Sequence, residues 1–451
     1  MEARPPPSIP GPGWFCAFWP RTCPPRRSPS PNRSRGPNRI RGPNRIRGPN
    51  RIRSPRQGRR RMAEPSALLF VFEPLDTLFF RTGRPFNQDD PGAALAESLF
   101  PPNPPTLVGA LRAALARLLG WSGQNDWPAD VKAALGDGDR LAAGLRFHGP
   151  WLMRREPDGG WHRLYPAPAS VVEMPAGTPA GRRFRRLQPS VTVLETDLGP
   201  DPIRLPAPAT DERDAAFCRR PNGLWLTADG LSAVLKGKVP GQAPPGAPRC
   251  WYDEAELWAV EQRVGIGRDN ATRRVEDGHF YIASHIRPAR GVALALQVSG
   301  LSAELRAKVE AHRGELGVVS LGGEHRAAWL SCVAPPRPMF ERTADAARRV
   351  AIALTPVRAT AAMLEPQASF AGHDGLKITM VSALRADIAG GWDSVGSRPM
   401  AQHPLLAPGT TWHITCDRDL RDEDLPRSLG GMTDWGYGEL IWGRDASSGG
   451  T

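Results

Sequence analysis

The first 61 residues differ from the rest of the chain in charge, and this difference decides which part of the sequence can fold. They contain sixteen Arg, no Lys and one acidic residue, so their net charge is +15. The 390 residues that follow hold 43 basic and 45 acidic groups, a net charge of −2. A Pro-rich segment with sixteen like charges cannot bury enough apolar surface to form a core. We therefore expect a disordered basic tail over residues 1–61.

The tail also contains three consecutive copies of Arg-Gly-Pro-Asn-Arg-Ile, at residues 35–40, 41–46 and 47–52. Two interpretations are open. A disordered basic arm would add salt-sensitive, sequence-independent affinity for RNA. Alternatively, the tail is an upstream extension and translation starts at Met62, just before the first strand-like segment. We favour the second interpretation, because a perfect hexapeptide repeat is typical of translated tandem-repeat DNA.

The composition of the remaining chain limits the class of protein. Its charge is almost balanced, so a nucleic-acid surface would have to come from a local arrangement of basic groups. No apolar run approaches the roughly 18 residues of a membrane helix, which predicts a soluble, cytoplasmic protein that does not bind membranes. The six cysteines show neither C-x-x-C pairs nor a His at zinc spacing. We expect reduced thiols, no metal and no cofactor.

Hydrophobic periodicity predicts an α+β fold. The apolar run 68–72 reads as a buried strand, and residues 106–119 as a helix with Thr106 as its cap and Gly120 after its end. A strand, a long loop and a helix in this order open a βαββαβ ferredoxin-like unit. We assign this RRM-like unit to residues 62–252, with an irregular, Pro-rich insertion over about 147–250 that holds one helix near 226–235.

A second ferredoxin-like unit is expected over residues 253–443, followed by a flexible tail at 444–451. The alternation of apolar residues over 292–298 predicts a strand, and a helix is expected over 302–312. Further strands are predicted near 316–321, 326–333, 350–355, 376–385, 410–416 and 438–442.

The first candidate site is the loop 79–86, which holds Arg81 and Arg84 among three Phe residues. Guanidinium groups bind phosphates and aromatic faces accept unstacked bases, so this composition suits single-stranded RNA. The structural alternative is that the Phe side chains belong to the core and the two Arg residues are solvated.

The second candidate is the segment 261–274. Its Gly-x-Gly resembles a dinucleotide fingerprint, but Asn270 stands where the third Gly should be, and we reject that interpretation. Arginines around paired glycines better suit a loop whose backbone approaches a phosphate chain, and a simple structural turn is the alternative. The candidate RNA-binding residues are Arg263, Gly265, Gly267, Arg268, Arg273 and Arg274.

The third candidate is the glycine-rich run 430–440, in which Gly436, Tyr437 and Gly438 combine flexible backbone with an aromatic surface. Catalytic patterns are scarce by comparison. The pair His279 and His285 lies near the basic segment, and one of them could act as the base of a metal-independent ribonuclease. The alternative is that both are ordinary strand or loop histidines.

Several segments together resemble the third Cmr subunit, a RAMP-superfamily protein of type III-B CRISPR effector complexes. The resemblance covers residues 62–443, leaves 1–61 unmatched, and is most specific in its first block. The matching segments are 72–86, 98–102, 106–112, 223–227, 263–267, 321–324, 391–393 and 436–438.

The resemblance implies two ferredoxin-like domains with insertions and a subunit that is not itself the target nuclease. It implies that the protein grips the 5′ handle of the crRNA beside the large polymerase-like subunit and the other RAMP subunits, and meets target RNA only indirectly. It places Arg81 and Arg84 after the first strand, and residues 436–438 in the RAMP glycine-rich loop. Contacts by Arg263, Arg268, Arg273 and Arg274 are our own inference from charge. The alternatives are a RAMP endoribonuclease that processes repeat RNA and a purely structural bridge.

Overall fold

A computed structural model describes residues 67–83, 95–124, 126–175, 182–195, 203–208, 218–241, 248–335, 348–393, 398–416, 420–421 and 423–445. The tail expected over residues 1–61, the start proposed at Met62, the candidate Arg84 and residues 446–451 lie outside these ranges.

The described residues form an α+β structure with many strands and few helices, as expected. The helices are α1 (Pro104–Leu118), α2 (Ala129–Leu135), α3 (Ala228–Leu235), α4 (Glu254–Leu257) and α5 (Ala303–Ala311). The strands as far as residue 299 are β1 (Leu68–Pro74), β2 (Leu95–Ala96), β3 (Arg146–Arg155), β4 (Trp161–Pro166), β5 (Val171–Glu173), β6 (Phe184–Pro189), β7 (Pro206–Pro208), β8 (Leu224–Leu226), β9 (Trp251–Asp253), β10 (Trp258–Arg268), β11 (Val275–Pro288) and β12 (Val292–Ser299). The later strands are β13 (Glu315–Ser320), β14 (Ala327–Val333), β15 (Arg348–Ala353), β16 (Val357–Arg358), β17 (Ser369–Phe370), β18 (His373–Ser382), β19 (Asp387–Ala389), β20 (Trp392–Asp393), β21 (Arg398–Pro399), β22 (His403–Leu406), β23 (Thr411–Cys416) and β24 (Leu440–Arg444).

The largest sheet has eight strands in the order β13-β14-β1-β12-β3-β4-β8-β9. Its centre, β14-β1-β12-β3, is antiparallel throughout, and the chain visits it in the order β1, α1, β3, β12, α5, β14. Strand β12 pairs directly with β1, for example Phe70 with Leu296. One sheet therefore joins residues from both sides of the division expected at 252/253.

A second sheet has five strands in the order β17-β18-β23-β15-β24. Its strands β24-β15-β23-β18 are antiparallel and repeat the order of the first centre. In the first sheet, α1 follows the first of these four strands along the chain and α5 follows the third. In the second sheet, short 3-10 turns follow the corresponding strands, at Ala361–Met363 and Thr433–Trp435. The same strand order is thus present twice, and among the described residues only the first copy contains α-helices.

The helix expected near 106 begins two residues earlier than predicted. Asn103 is at the N-cap position and Pro104 occupies the first turn, where a missing backbone N–H costs nothing. Helices α3 and α5 have the side-chain caps typical of Thr and Ser: Thr227 accepts from the Gly230 N–H and Ser302 from the Leu305 N–H.

The stretch 147–250 is more regular than the sequence indicates. Its strands β3 and β4 belong to the largest sheet, and Phe147 and Leu152 are fully buried in the main core. The pairing of β3 with β12 shifts register between Ala295 and Gln297, opposite Gly149 and Pro150. Proline is tolerated at such a bulge because no ladder hydrogen bond is required there. Since a Gly-Pro pair normally argues against a central strand, the sequence pattern did not indicate β3.

Glu439, immediately before β24, ties the two sheets together. Its carboxylate accepts two hydrogen bonds from Arg163 on β4, at 2.9 and 3.0 Å, and one from the Trp151 indole on β3, at 2.8 Å. Burial acts to raise the pKa of Glu439, but the Arg163 guanidinium and these hydrogen bonds hold that pKa below its ordinary value. The folded state therefore stabilises the ionised carboxylate.

We predict that Glu439→Gln destabilises the protein by about 3–5 kcal/mol at pH 7, because it leaves the largely buried Arg163 without its counter-charge. Since the pKa of Glu439 is lowered on folding, its contribution is complete above the ordinary carboxyl pKa of about 4.3 and is lost as the pH falls through the folded value. Urea unfolding from pH 7 to pH 3 should show a steeper loss for the unsubstituted chain than for the variant.

The matched control is Glu423→Gln, because Glu423 forms an exposed ion pair with Arg421. Such a pair contributes about 0–1 kcal/mol. Equal stability of Glu439→Gln and the unsubstituted chain at pH 7 would contradict the role assigned to Glu439.

Candidate nucleic-acid interface

The second candidate segment forms a long antiparallel hairpin. Strands β10 and β11 pair from Trp258↔Pro288 to Arg268↔Val275, and β2 adds to β11 in parallel. The connecting turn is closed by Asp269, whose carboxylate accepts from the Ala271 N–H and the Thr272 hydroxyl. An Asp at this position is typical of a turn because its side chain bonds the backbone two residues on. The turn thus follows from local sequence.

The tip of this hairpin is basic. Arg268, Arg273 and Arg274 are all exposed, and Arg273 has a left-handed backbone with φ of 57°. Among the described side chains, none of the three guanidinium groups has an ion-pair or hydrogen-bond partner. No contact with a described side chain therefore has to break before they bind an external anion.

One face of the hairpin is apolar and exposed. Val260, Val264 and Ile266 lie on one face of β10, with Gln262 between the first two, and are 60%, 64% and 53% exposed; Leu95 on β2 is also exposed. Side chains two residues apart share one face of a strand. The sequence analysis did not identify these residues as candidates, although the two-residue spacing of Val264 and Ile266 is the signal of a strand with one apolar face.

Gly265 lies beside an aromatic ring of the paired strand. A Cβ at Gly265 would lie 2.2 Å from the Tyr281 ring on the paired strand, so Gly265 provides room for that ring. Gly267 follows two residues later on the same face. The space beside Gly265 is thus filled by a side chain of the protein itself.

Ion pairs hold the base of the hairpin. Arg263 donates to Glu261 at 2.7 Å and lies 3.7 Å from Asp76, and Arg287 donates to both carboxylates. Hydrogen bonds from Arg287 and Arg263 lower the pKa of Glu261, so the acidic partner stays ionised. Arg263 is therefore engaged with carboxylates, in contrast to the arginines at the tip.

The first candidate segment lies against the same hairpin. Leu78 exchanges backbone hydrogen bonds with Ile286 on β11, and the Phe79 ring stacks on His285 at 5.1 Å. Phe79 and Phe80 are buried and Arg81 is exposed, both as the structural alternative has it, whereas Phe86 lies outside the described residues. The structure therefore brings Arg81 to the base of the hairpin.

His285 is not accessible to a substrate. Its side chain is fully buried, with Nδ1 3.4 Å from the Thr77 hydroxyl. Nε2 lies 2.9 Å from a Glu324 oxygen, within ion-pair distance although outside hydrogen-bond geometry. Burial lowers the pKa of His285 and outweighs the opposing effect of Glu324. The side chain of His279 lies outside the described part.

The glycine-rich run packs against protein backbone. Gly436 has φ of +99° and a Cβ there would lie 2.3 Å from the Gly149 carbonyl, while a Cβ at Gly438 would lie 1.9 Å from the Leu429 carbonyl. Tyr437 is buried, which raises its pKa to about 12. The structure thus groups Arg81 and Arg263 at the hairpin base, whereas it places residues 436–438 in a joint with β3.

Two observations concern the described ranges as a whole. No cluster of three His, Cys, Asp or Glu side chains in them is arranged to hold a metal ion. None of their helices has the length and apolar character needed to cross a membrane.

Comparisons with known proteins found one matching family and distant structural neighbours. A family model described as CRISPR-associated protein (Cas_Cmr3) matches residues 70–445. This chain is similar to one in a cryo-EM structure of the Type III-B Cmr-beta bound to cognate target RNA and AMPPnP, state 1. The alignment covers 76% of this chain and 86% of that chain, with 16% sequence identity and a TM-score of 0.40. It is also similar to a chain in a crystal structure of the Csm3-Csm4 subcomplex in the type III-A CRISPR-Cas interference complex. That alignment covers 83% of this chain and 98% of the other, with 10% sequence identity and a TM-score of 0.31. Among curated proteins nothing matches.

We predict that Gly436→Ala destabilises the protein by at least about 2 kcal/mol, because the new Cβ would meet the Gly149 carbonyl in a left-handed conformation. Gly431→Ala in the same run is the control, since its Cβ would meet nothing closer than 3.9 Å. Its effect should stay within about 0.5 kcal/mol in thermal unfolding. Equal effects of the two substitutions would show that the close backbone approach is unimportant.

Proposed function

The chain belongs to the Cas_Cmr3 family of CRISPR-associated proteins, and on this premise we propose that it is a non-catalytic RNA-binding subunit of a type III-B CRISPR ribonucleoprotein. In this proposal it binds the 5′ handle of the crRNA and bridges to the large polymerase-like subunit in antiviral defence. One observation carries the RNA-binding role: the tip of the β10–β11 hairpin presents three exposed arginines, which have no partner among the described side chains, beside an exposed apolar stripe.

The chemistry of the hairpin suits single-stranded RNA. Guanidinium groups donate in a fork that matches phosphate oxygens, and apolar side chains contact bases that have left the helical stack. Because the body of the protein has almost no net charge, the attraction must be local, and the hairpin tip supplies it. The apolar stripe of Val260, Val264 and Ile266 is then in place to separate neighbouring bases.

Arg81 adds a second contact in this proposal. It is exposed beside the base of the hairpin, and Arg84 follows three residues later in the sequence. We assign an indirect role in RNA binding, through the shape of the protein, to the candidates that contact other groups of the protein. Arg263 and Gly265 shape the hairpin with Gly267, and residues 436–438 hold the two sheets together.

We also propose that the chain contains two ferredoxin-like units. The support is the strand order, since β14-β1-β12-β3 and β24-β15-β23-β18 each place the first and third strands of a βαββαβ unit at the centre. In this proposal the first unit runs from 68 to 333 and the second from 348 to 444. This division replaces the one at 252/253, because β12 belongs to the sheet of β1.

The enzymatic alternative finds little support in the described residues. A general base must come within hydrogen-bond reach of the proton that it removes, and the imidazole of His285 is fully buried behind Thr77 and Phe79. We therefore propose that the subunit binds RNA without cleaving it.

We predict that Arg268→Ala, Arg273→Ala and Arg274→Ala combined weaken binding of a handle-bearing crRNA at least about tenfold. Each lost phosphate contact removes about 0.7 from the slope of log affinity against log salt, so the slope should fall by about 2. Fluorescence anisotropy at 50–300 mM salt measures both quantities. Arg421→Ala, at an exposed Arg paired with Glu423 and Asp424, is the control.

The apolar stripe gives an independent prediction. Val264→Ser with Ile266→Ser should lower the affinity for the same RNA several-fold and leave the salt slope unchanged, because no phosphate contact is removed. If neither the arginine variant nor the stripe variant changes RNA binding, the hairpin is not the RNA-binding surface.

A third prediction tests the absence of catalysis. Purified protein incubated with repeat RNA should leave it intact, as followed by denaturing electrophoresis. Cleavage that disappears in His279→Ala or His285→Ala would establish the ribonuclease alternative instead.

A further inference from the structure

A groove of about 710 Å³ lies between the largest sheet and the small sheet β16-β22-β19. One wall contains Phe100, Trp225, Arg220 and Glu254, at the start of α1 and around β8 and α4. The opposite wall is formed by 384–387, with Arg385 and Asp387, and by the segment 405–408. The volume of the groove is in the range of pockets that hold small organic ligands.

The aromatic residues of the first wall are fixed in place. Phe100 packs edge-on against the buried Trp258 at 4.8 Å, and Trp225 packs edge-on against the same indole at 5.8 Å. Both rings remain partly exposed where they line the groove. A rigid, flat apolar wall suits the face of a nucleobase, because stacking on it costs little side-chain entropy.

The charged residues of the groove are balanced: two guanidinium groups, Arg220 and Arg385, and two carboxylates, Glu254 and Asp387. A net charge of zero does not favour a phosphate chain inside the groove. It favours a neutral ligand whose edge carries both acceptors and donors. Guanine presents O6 and N7 as adjacent acceptors for a guanidinium, and when unpaired it also offers its N1–H and N2 amine to a carboxylate.

Both walls of the groove meet the segment of Arg81. Leu99, which lines the groove, donates its backbone N–H to the Phe80 carbonyl at 2.8 Å. The other wall contacts this segment through Gly390, three residues after Asp387. A Cβ added at Gly83 would lie 2.5 Å from the backbone nitrogen of Gly390. Since the proposed function places RNA at Arg81, on the segment that both walls contact, a nucleobase is favoured over a peptide as the occupant.

We propose that this groove is a subsite for one unpaired guanine base, with Phe100 and Trp225 as the stacking wall, Arg220 facing the O6 and N7 edge and Glu254 accepting from N1 and N2. The inference rests on the proposed RNA-binding function, since it concerns a base of the same strand. It adds a preference for one kind of base to a surface otherwise directed at phosphates.

The test uses the full chain and single-stranded octamers: U8 and the eight variants of U8 that carry one guanosine. Competitive binding at 150 mM salt should show the best guanosine octamer binding at least about fivefold tighter than U8, since one bidentate base contact contributes about 1–3 kcal/mol. Inosine at that position lacks the N2 amine and should lose most of this preference. Glu254→Gln should lose it as well, while Glu256→Gln on the same short helix, outside the groove, should keep it.

The outcomes separate the two proposals. Equal affinity for U8 and all guanosine octamers, or an equal preference for adenosine or cytidine, overturns the guanine subsite, and a groove that binds a peptide would give the first of these results. The inosine comparison is made on the unsubstituted protein, so it decides the question even if Glu254→Gln folds poorly. Failure of the unsubstituted protein to bind any of these RNAs or a handle-bearing crRNA would instead remove the proposed function, and the subsite with it.

Discussion

The described structure depends on one buried carboxylate, that of Glu439. It accepts hydrogen bonds from Arg163 and Trp151 of the first sheet while its own backbone leads directly into β24 of the second. Removing a carboxylate from water is costly, and only the full set of donors offsets this. The close approach of Gly436 to Gly149 beside it requires a residue without a side chain. The glycine-rich run is therefore best understood as the joint between the two sheets.

The hairpin shows how an almost neutral body can still present a basic surface. At its base, Arg263 and Arg287 are neutralised by Asp76 and Glu261. At its tip, three arginines have no such partners among the described side chains. The ion pairs at the base orient the hairpin, and the tip carries the charge that acts outward. Net charge over the whole chain reveals neither arrangement, because it sums paired and unpaired groups alike.

Much of the secondary structure could be predicted from local patterns. The strand at 68–72, the helices near 226–235 and 302–312 and the alternating strand at 292–298 are all confirmed. The prediction failed for β3, because Gly149 and Pro150 interrupt the strand pattern and are accommodated only by a bulge opposite β12. The pairing of β12 with β1 was equally out of reach, since it joins residues more than two hundred positions apart.

The sequence alone determined the family, the α+β class, the separation of a basic tail from a neutral body, and the segments around Arg81 and Arg268 as candidates. The family follows from the resemblance of particular segments such as 72–86, and the other properties follow from composition and short-range periodicity. Only the tertiary structure decided which candidates are exposed: it buried His285 and Tyr437, paired Arg263 with carboxylates, and left Arg268, Arg273 and Arg274 at the surface. Exposure and ion pairing depend on contacts between distant segments, and no local pattern in the chain encodes those contacts.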